Sequence, residues 1–440
     1  MKLTKIATVL LFLSPAYLSA ATQDFTYRNG YKITADQASP EVNIRIKDNK
    51  PTQSISTPNS NGISHNYFTE FNVGKRGLNI DNAPSARVII NEVTGDNISR
   101  LRGEIAVTGK QASVVIANPN GVNCNSCSTS DISQLTLLAG NTIPDTATGK
   151  LTGFKNITSD IIVRNVKKDA IKSKLTLTGH NVEINKSDIN TTSAIINVGI
   201  NHIDFSKSLQ SQIADVNLNV NKENYDAYTR PGLFIDGNTT IRTSLTINAN
   251  NAALVNNGKV YSGNINLNLM NSEFSNDNYL KASKININSK DSGIYNSQHF
   301  SADNVNVNYS KDFKIHNKTI SSDADTTFYA GNISISSKNV KKYYQPNSWD
   351  DSYRYNKLAI NNDSTFIANK LRITGGEYDH MRIDNDGKIH TGEFKATGNL
   401  LTMFNYGDMT VSNNFDVKDT DKFNDRGSNK IIILQEGINI

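Results

Sequence analysis

The sequence predicts an all-β fold of the β-solenoid type, a right-handed parallel β-helix. Two observations support this prediction: short strand patterns recur every 20 residues, and polar residues dominate a chain that is still rich in aromatic ones. The chain has 440 residues, of which 37% are hydrophobic and 20% charged, with 17 Tyr and 16 Phe. Because aromatic residues are this plentiful, the chain is predicted to be folded and not disordered.

The repeat is clearest in the second half of the chain. Four apolar–polar alternations occupy residues 245–248, 265–268, 285–288 and 305–308, and each predicts a strand with one buried face. A 20-residue unit cannot bury that face alone, so it must stack in parallel on its neighbours, which predicts roughly 20 coils for the chain. An Asn-rich antiparallel sandwich is the alternative, but it gives no reason for residues to repeat in phase.

Asparagines repeat in phase with the strands. Asn256, Asn276 and Asn296 are each preceded by an apolar residue two positions earlier. On stacked coils their carboxamides would lie one above another and bond in an amide ladder, which satisfies polar groups at buried turns. The regular pattern is interrupted in an insertion near residues 319–363, where the aromatic and acidic segment 343–353 is predicted to protrude. Such a loop serves packing or binding.

Residues 1–21 are predicted to be a secretory signal peptide. Lys2 and Lys5 precede an apolar run over residues 6–13, and the small residues Ala20 and Ala21 offer the cleavage point. A membrane anchor would need about 20 apolar residues. No later segment has the pattern of a membrane-spanning helix, or the series of alternating ten-residue segments that is typical of an outer-membrane barrel. To leave a double-membraned cell, the protein would therefore need another protein as its exporter.

Cys124 and Cys127 are the only cysteines. Two thiols cannot supply the four ligands of a structural zinc site, and the surrounding residues lack the βαβ setting of a redox-active pair. In an exported protein the spacing favours a local structural disulfide. Cross-linking across only four residues would still allow the chain to be threaded through a pore.

Charge and motif content argue against two other classes of function. The net charge of +5 is too small to imply nucleic-acid binding. Polysaccharide-degrading enzymes also use parallel β-helices, but they need clustered carboxylates for catalysis or for calcium. The nearest candidates, Asp323 with Asp325 and Asp350 with Asp351, have no accompanying signature. We therefore predict a non-catalytic protein without a cofactor or metal, and keep a β-helix polysaccharide-degrading enzyme as an alternative.

Several ordered sequence blocks precede the repeats between residues 62 and 127. They are the Ser-His-Asn and Phe-Asn block, the Asn-Glu-Val block and the Asn-Pro-Asn-Gly block followed by the cysteine pair; their residues are Ser64, His65, Asn66, Phe71, Asn72, Asn91, Glu92, Val93, Asn118, Pro119, Asn120 and Gly121. At these residues the chain closely resembles the N-terminal secretion domain of two-partner secretion exoproteins, the filamentous haemagglutinin and haemolysin family of Gram-negative bacteria.

The resemblance implies a capped N-terminal secretion domain, placed here at residues 22–250, followed by β-helix repeats over 251–440. It also implies a partner, an outer-membrane transporter of the Omp85-like class with periplasmic domains, which reads the unfolded exoprotein through a motif matched by Asn118, Pro119, Asn120 and Gly121. The family's second motif is here residues 96–99, without its proline, and the residues after Cys127 also depart from the family pattern. His65 is expected to be a buried, hydrogen-bonded member of the same cap and not a ligand or a base, on the expectation that no carboxylate or second His lies beside it.

The function implied by this resemblance is that of an adhesin, secreted through the periplasm and displayed at the cell surface or released, with a receptor on a host or other cell. A pore-forming haemolysin of the same secretion family is the alternative. A contact-dependent toxin needs a longer chain with a C-terminal effector. Because this sequence stops inside repeat-like residues, we expect a short standalone member or the front part of a longer exoprotein.

Overall fold

A computed structural model describes residues 23–207, 231–319, 326–337, 356–376, 379–398, 400–418, 422–425 and 431–433. These residues form strands joined by turns, without a helix, and so without a helix that could cross a membrane. The first strands are β1 (Asp24–Thr26), β2 (Lys32–Ala35), β3 (Ile44–Lys47), β4 (Lys50–Ser54), β5 (Ile63–Phe71), β6 (Leu78–Asn82), β7 (Val88–Val93), β8 (Ser99–Leu101), β9 (Glu104–Gly109), β10 (Ala112–Ala117), β11 (Val122–Asn125), β12 (Ser128–Ser130), β13 (Ile132–Leu138), β14 (Asn141–Pro144), β15 (Leu151–Lys155), β16 (Ile161–Arg164), β17 (Lys174–Gly179), β18 (Val182–Val198) and β19 (Ile203–Asp204). The remaining strands are β20 (Gly232–Asn250), β21 (Ala253–Asn256), β22 (Lys259–Met270), β23 (Glu273–Asn276), β24 (Tyr279–Asn296), β25 (His299–Asn317), β26 (Thr327–Ser337), β27 (Asn356–Asn362), β28 (Thr365–Thr374), β29 (Asp379–Asn385), β30 (Lys388–Thr397), β31 (Leu400–Asn405), β32 (Asp408–Lys418), β33 (Lys422–Asp425) and β34 (Ile432–Ile433).

From β5 onward, strands in successive coils pair in parallel. In the regular part Leu245 lies opposite Ile265, which lies opposite Ile285, so the 20-residue step of the sequence is the register of the sheet. The predicted all-β parallel β-helix is confirmed. It has about 14 turns, fewer than the sequence estimate of about 20. The estimate was too high because some coils are much longer than 20 residues: Ala194 pairs with Leu245, 51 positions later.

Antiparallel strands cap the N-terminal end. β1 pairs antiparallel with β2, β2 with β5, and β3 with β4, before the parallel ladder begins between β5 and β7. A further antiparallel sheet, β14–β15–β19, covers the outer side of the first coils. It buries a second apolar cluster that includes Ile90, Val115, Leu138 and Phe154. These added strands protect a ladder that would otherwise begin with unpaired edge groups.

Two columns in the interior of the solenoid stack identical residues, one of phenylalanines and one of asparagines. The rings of Phe300, Phe328 and Phe366 lie within 9° of parallel, with centroids 4.2 and 4.9 Å apart, close to the separation of strands in a sheet. At one corner, buried carboxamides donate in sequence from Nδ2 to the next Oδ1 at 2.8–2.9 Å. This asparagine ladder consists of Asn256, Asn276, Asn296, Asn317, Asn362, Asn385 and Asn405.

The interval 319–363, predicted as an insertion, contains two regular strands. β26 pairs in parallel with β25 and β28, and β27 pairs in parallel with β25 and β29, so both are ordinary parts of the coils. The solenoid therefore continues through much of this interval. The aromatic and acidic segment 343–353, the predicted signal peptide, and Asp323, Asp325, Asp350 and Asp351 lie outside the described residues.

Candidate functional site

The parallel register brings the Ser-His-Asn and Asn-Glu-Val blocks side by side. Asn66 on β5 lies opposite Asn91 on β7, and its Nδ2 donates to Asn91 Oδ1 at 3.2 Å. Asn91 and Gln53 exchange two hydrogen bonds of 3.0 Å, and Asn66 Oδ1 accepts the backbone N–H of Ser56 at 2.7 Å. Asn66, Asn91 and Gln53 are all fully buried. This buried amide network connects the cap strand β4 to the first two coils, and Gln53 is a member that the sequence did not indicate.

Asn72 performs a similar role at the end of the same block. Its Nδ2 donates to the backbone oxygen of Lys32 at 3.2 Å, and its Oδ1 accepts the backbone N–H of Arg100 at 3.0 Å. Phe71 packs edge-on against Phe68, with ring centroids 4.9 Å apart. Ser64, Phe71, Asn72 and Val93 are buried. This block therefore joins the cap to the solenoid core.

His65 and Glu92 form a polar cluster on the outer side of the same strands, beneath β14. His65 Nε2 lies 2.8 Å from Glu92 Oε2, and Glu92 Oε1 accepts the Asn141 side-chain amide at 3.0 Å and the Thr142 N–H at 3.3 Å. The expectation that no carboxylate lies beside His65 is wrong. Glu92 is 27 residues away along the chain, and only the register of β5 on β7 brings the two together.

The electrostatics of this cluster favour a charged carboxylate. Burial raises the pKa of Glu92, but hydrogen bonds from His65, Thr142 and Asn141 outweigh burial and hold the pKa below its usual range. The Thr142 hydroxyl donates to the carboxylate, and not to the imidazole as the nucleophile of a catalytic triad would. The cluster therefore fastens β14 to β7.

The Asn-Pro-Asn-Gly block forms a tight turn at a corner of the solenoid. Gly121 N–H donates to Asn118 O at 3.0 Å, and Gly121 has a φ of +106°, which favours glycine. The Asn118 side chain is fully buried; its Nδ2 donates to Asn97 O at 2.9 Å and to Ser99 Oγ at 3.0 Å. Its Oδ1 accepts the backbone N–H of Asn120 at 2.9 Å. In the folded chain, the polar groups of Asn118 are thus used internally.

The turn also touches the segment that occupies the place of the family's second motif. Asn120 Nδ2 donates to Gly95 O at 2.7 Å, and Asn118 reaches Asn97 and Ser99. The hydroxyl of Ser159, from the next coil, donates to the backbone oxygen of Pro119 at 2.6 Å and so contacts the opposite side of the turn. The two segments therefore pack together although residues 96–99 lack a proline.

Cys124 and Cys127 are joined by a disulfide just beyond this turn. Both are buried, with Cα atoms 5.3 Å apart, and the bridge closes the turn after β11. The described residues contain no group of three or more His, Cys, Asp or Glu side chains arranged to hold a metal ion. The site is thus an arrangement of buried amides, one carboxylate–imidazole pair and a disulfide.

Comparison with known proteins identifies these features with one family. A family model described as the TPS secretion domain matches residues 31–335. The 16S rRNA endonuclease CdiA of Enterobacter cloacae is 34% identical over 166 residues, covering 32% of this chain and 5% of the relative. A hemolysin of Proteus mirabilis is 33% identical over 151 residues, covering 30% of this chain and 9% of the relative. The chain thus spans less than a tenth of the length of these relatives.

One solved structure, described as the filamentous hemagglutinin secretion domain, aligns with 84% of this chain and 99% of its own, with a TM-score of 0.36 and 16% sequence identity.

Proposed function

Because the chain belongs to the family of TPS secretion domains, we propose that it is the exported partner of a two-partner secretion pair and acts as an adhesin. Proteins of this family are secreted across the outer membrane of Gram-negative bacteria. The exporter in this proposal is an Omp85-like transporter with periplasmic domains. The observation that carries the proposal is that the sequence blocks at residues 64–72, 91–93 and 118–121 lie together in the first coils of the solenoid.

The proposed recognition takes place before the chain folds. Asn118, Asn66 and Asn91 are fully buried in the folded domain, and their carboxamides bond to neighbouring coils. A transporter that reads these side chains must therefore meet them in the extended chain, where they are free to bond. Folding outside the membrane then adds coils one at a time. At about 0.05–0.15 kcal/mol per residue, each 20-residue coil contributes roughly 1–3 kcal/mol against backward sliding.

Secretion of an Asn118→Leu variant tests the export step. The variant and its transporter are produced together, and the protein is measured in periplasm and medium. Asn296→Leu is the matched control, because Asn296 is an equally buried asparagine of the solenoid outside the proposed motif. We expect Asn118→Leu to accumulate in the periplasm while Asn296→Leu still reaches the medium. Equal secretion of the two variants would remove Asn118 from the recognition motif.

The adhesin role is supported by the shape of the surface. The coils stack in parallel from β5 to β34 and present rows of polar side chains at regular steps, as other solenoid proteins that bind partners do. Binding of the purified protein to epithelial cells, compared with a solenoid of the same length from another family, tests this role. Binding no greater than that of the comparison protein would contradict it.

A haemolysin is the second candidate, because one relative carries that name. Lysis of erythrocytes by culture supernatant distinguishes the two, and strong lysis would favour the haemolysin. The nuclease names of the CdiA relatives belong to those proteins, of which this chain spans 5%. We propose a non-catalytic role for this chain. Cleavage of pectin or host glycans by the purified protein, lost when Asp350 and Asp351 are replaced, would contradict that role.

A further inference from the structure

An open cavity of about 750 Å³ lies at the N-terminal end of the solenoid, away from the signature turn. Residues of the β1–β2 turn, the β3–β4 turn and two loops of the first coils line it: Phe25, Thr26, Tyr27, Arg28, Asn29, Ile46, Asn49, Lys75, Arg76 and Arg102. Four of these residues are cationic and none is acidic. The cavity is therefore a concave surface with a concentrated positive charge, in a chain whose overall charge is only +5.

The aromatic part of the cavity is fixed in place. The ring of Tyr27 packs so closely on Gly74 that a Cβ there would lie 2.6 Å from the ring. Its hydroxyl donates to Gly77 O at 2.9 Å, and burial raises the pKa of Tyr27, so the hydroxyl stays protonated. Phe25 packs edge-on against the Tyr27 ring, with centroids 4.8 Å apart. The buried Tyr27 ring thus holds the partly exposed Phe25 ring in a fixed position at the cavity.

The cations of the cavity differ from others in the same domain. Arg45 and Lys50 are each paired with a carboxylate, Asp81 and Glu104 respectively, at 2.8 Å. The side chains of Arg28, Lys75 and Arg102 make no hydrogen bond or ion pair with any residue that the structure describes.

The guanidinium of Arg76 is held against Asn49, another residue of the cavity lining. Two of its N–H groups donate to the backbone and side-chain oxygens of Asn49, which leaves the remaining donors of the guanidinium open.

We propose that this cavity binds a saccharide that carries more than one sulfate or phosphate group. Arginine presents a planar fork of donors that matches the oxygens of such groups in a bidentate way, and three arginines line the cavity. The apolar face of a sugar ring can pack on the partly exposed Phe25 ring, which the buried Tyr27 ring supports from beneath. A bare ion would leave most of the volume unused, and a flat lipid surface cannot enter a concave site. The inference names a ligand class for the adhesin proposed above and depends on that proposal only for its biological role.

Binding of a heparin-derived hexasaccharide to the purified, folded chain tests the inference by calorimetry. The test variant is Arg28→Gln/Lys75→Gln, because both side chains are exposed and without partners, so the fold does not depend on them. Lys167→Gln/Lys168→Gln is the matched control: it removes the same charge from exposed positions on a loop that does not line the cavity. We expect at least tenfold weaker binding by the test variant, less than a twofold change in the control, and at least tenfold weaker binding of the desulfated hexasaccharide.

A second measurement uses the wild-type chain alone. The sulfated hexasaccharide should protect the Lys75 amine from acetylation, measured by mass spectrometry, and leave Lys167 and Lys168 reactive. Absence of binding, equal loss in test and control variants, equal binding of the desulfated sugar or equal protection of all three lysines would each overturn the inference. Because these measurements use purified protein, their failure leaves the secretion and cell-binding tests of the proposed function unaffected.

Discussion

The asparagine ladder makes a quantitative prediction for Asn296, a member at its centre. Asn296 Oδ1 accepts from Asn276 at 2.8 Å, and its Nδ2 donates to Asn317 Oδ1 at 2.9 Å and to the backbone oxygens of Gln298 and Thr327 at 3.0 and 3.2 Å. Replacing Asn296 with Ala removes all four bonds at a site closed to water, since the residue is 1% exposed. A buried polar group left without a partner costs about 1–3 kcal/mol, and the Oδ1 of Asn317 loses its ladder donor. We expect a loss of about 3 kcal/mol in local stability.

Asn306 on the same coil provides the control. Its Nδ2 donates to Asn286 Oδ1 at 3.2 Å, in a row of half-exposed asparagines where water can replace the lost partner. Asn306→Ala should therefore change stability by no more than about 0.5 kcal/mol. The two variants remove the same side chain from the same coil, so their difference isolates the effect of burial.

Hydrogen exchange of backbone amides in β24, β25 and β26 is the appropriate assay, because solenoid coils open locally and a single unfolding transition is not assured. A cost of about 3 kcal/mol corresponds to roughly 100-fold faster exchange through opening of these strands. Urea unfolding followed by circular dichroism gives a second measure of the same difference. Equal exchange rates in Asn296→Ala and Asn306→Ala would refute the view that the buried ladder stabilises the solenoid.

Three further predictions concern the secretion domain and the coil turns. Because its hydrogen bonds hold the pKa of Glu92 below the unfolded value of 4.5, its contribution to stability is present above that pH and is lost as pH falls through the folded pKa. Urea midpoints of wild type should therefore fall more steeply on acidification below pH 4.5 than those of Glu92→Gln, and parallel pH profiles would contradict this. Replacing Cys124 and Cys127 with Ser should lower stability by about 2 kcal/mol, the loop-entropy value for four residues, and a much larger loss in urea unfolding would show that the bridge does more than close its loop. Gly387→Ala should cost about 3 kcal/mol, because the new Cβ would lie 2.1 Å from a backbone oxygen. In the control Gly232→Ala the new Cβ would lie 3.5 Å from its nearest atom, an ordinary contact distance, so this variant should melt at nearly the wild-type temperature. Equal melting temperatures of the two variants would argue that the turn at Gly387 shifts freely.

The regular coils were predictable from the sequence because their period is constant. Ile265 and Ile285 are 20 residues apart in the sequence and lie opposite each other in adjacent coils, so the spacing of the repeats gives the register of the strands. The same reasoning could not follow the ladder beyond Asn296. Asn317 bonds to Asn362, 45 positions later, and a 20-residue period cannot predict this partner because β26 and a long stretch of chain lie between the two asparagines.

The contacts of the candidate site were harder to predict for a related reason. His65 meets Glu92 only because β5 and β7 pair with an offset of 25 residues, which the later 20-residue repeats do not reveal. Thr142 donates to the same carboxylate from an antiparallel sheet that lies outside the coils. The repeat period of the coils does not predict where this sheet lies. The sequence blocks thus pointed to residues that the fold brings close together, while the partners of those residues depended on coil lengths and added strands.

The burial of the signature has a consequence for how export and folding are ordered. If a transporter reads Asn118 and its neighbours, each contact it makes competes with a bond that the folded domain makes internally, such as those from Asn118 to Asn97 and Ser99. Recognition and folding are then mutually exclusive states of the same residues. Completing the first coils removes the recognition groups from the transporter's reach, so folding itself releases the chain. The cap strands favour this order, because the pairing of β2 with β5 supplies a finished edge on which every later coil can add in parallel.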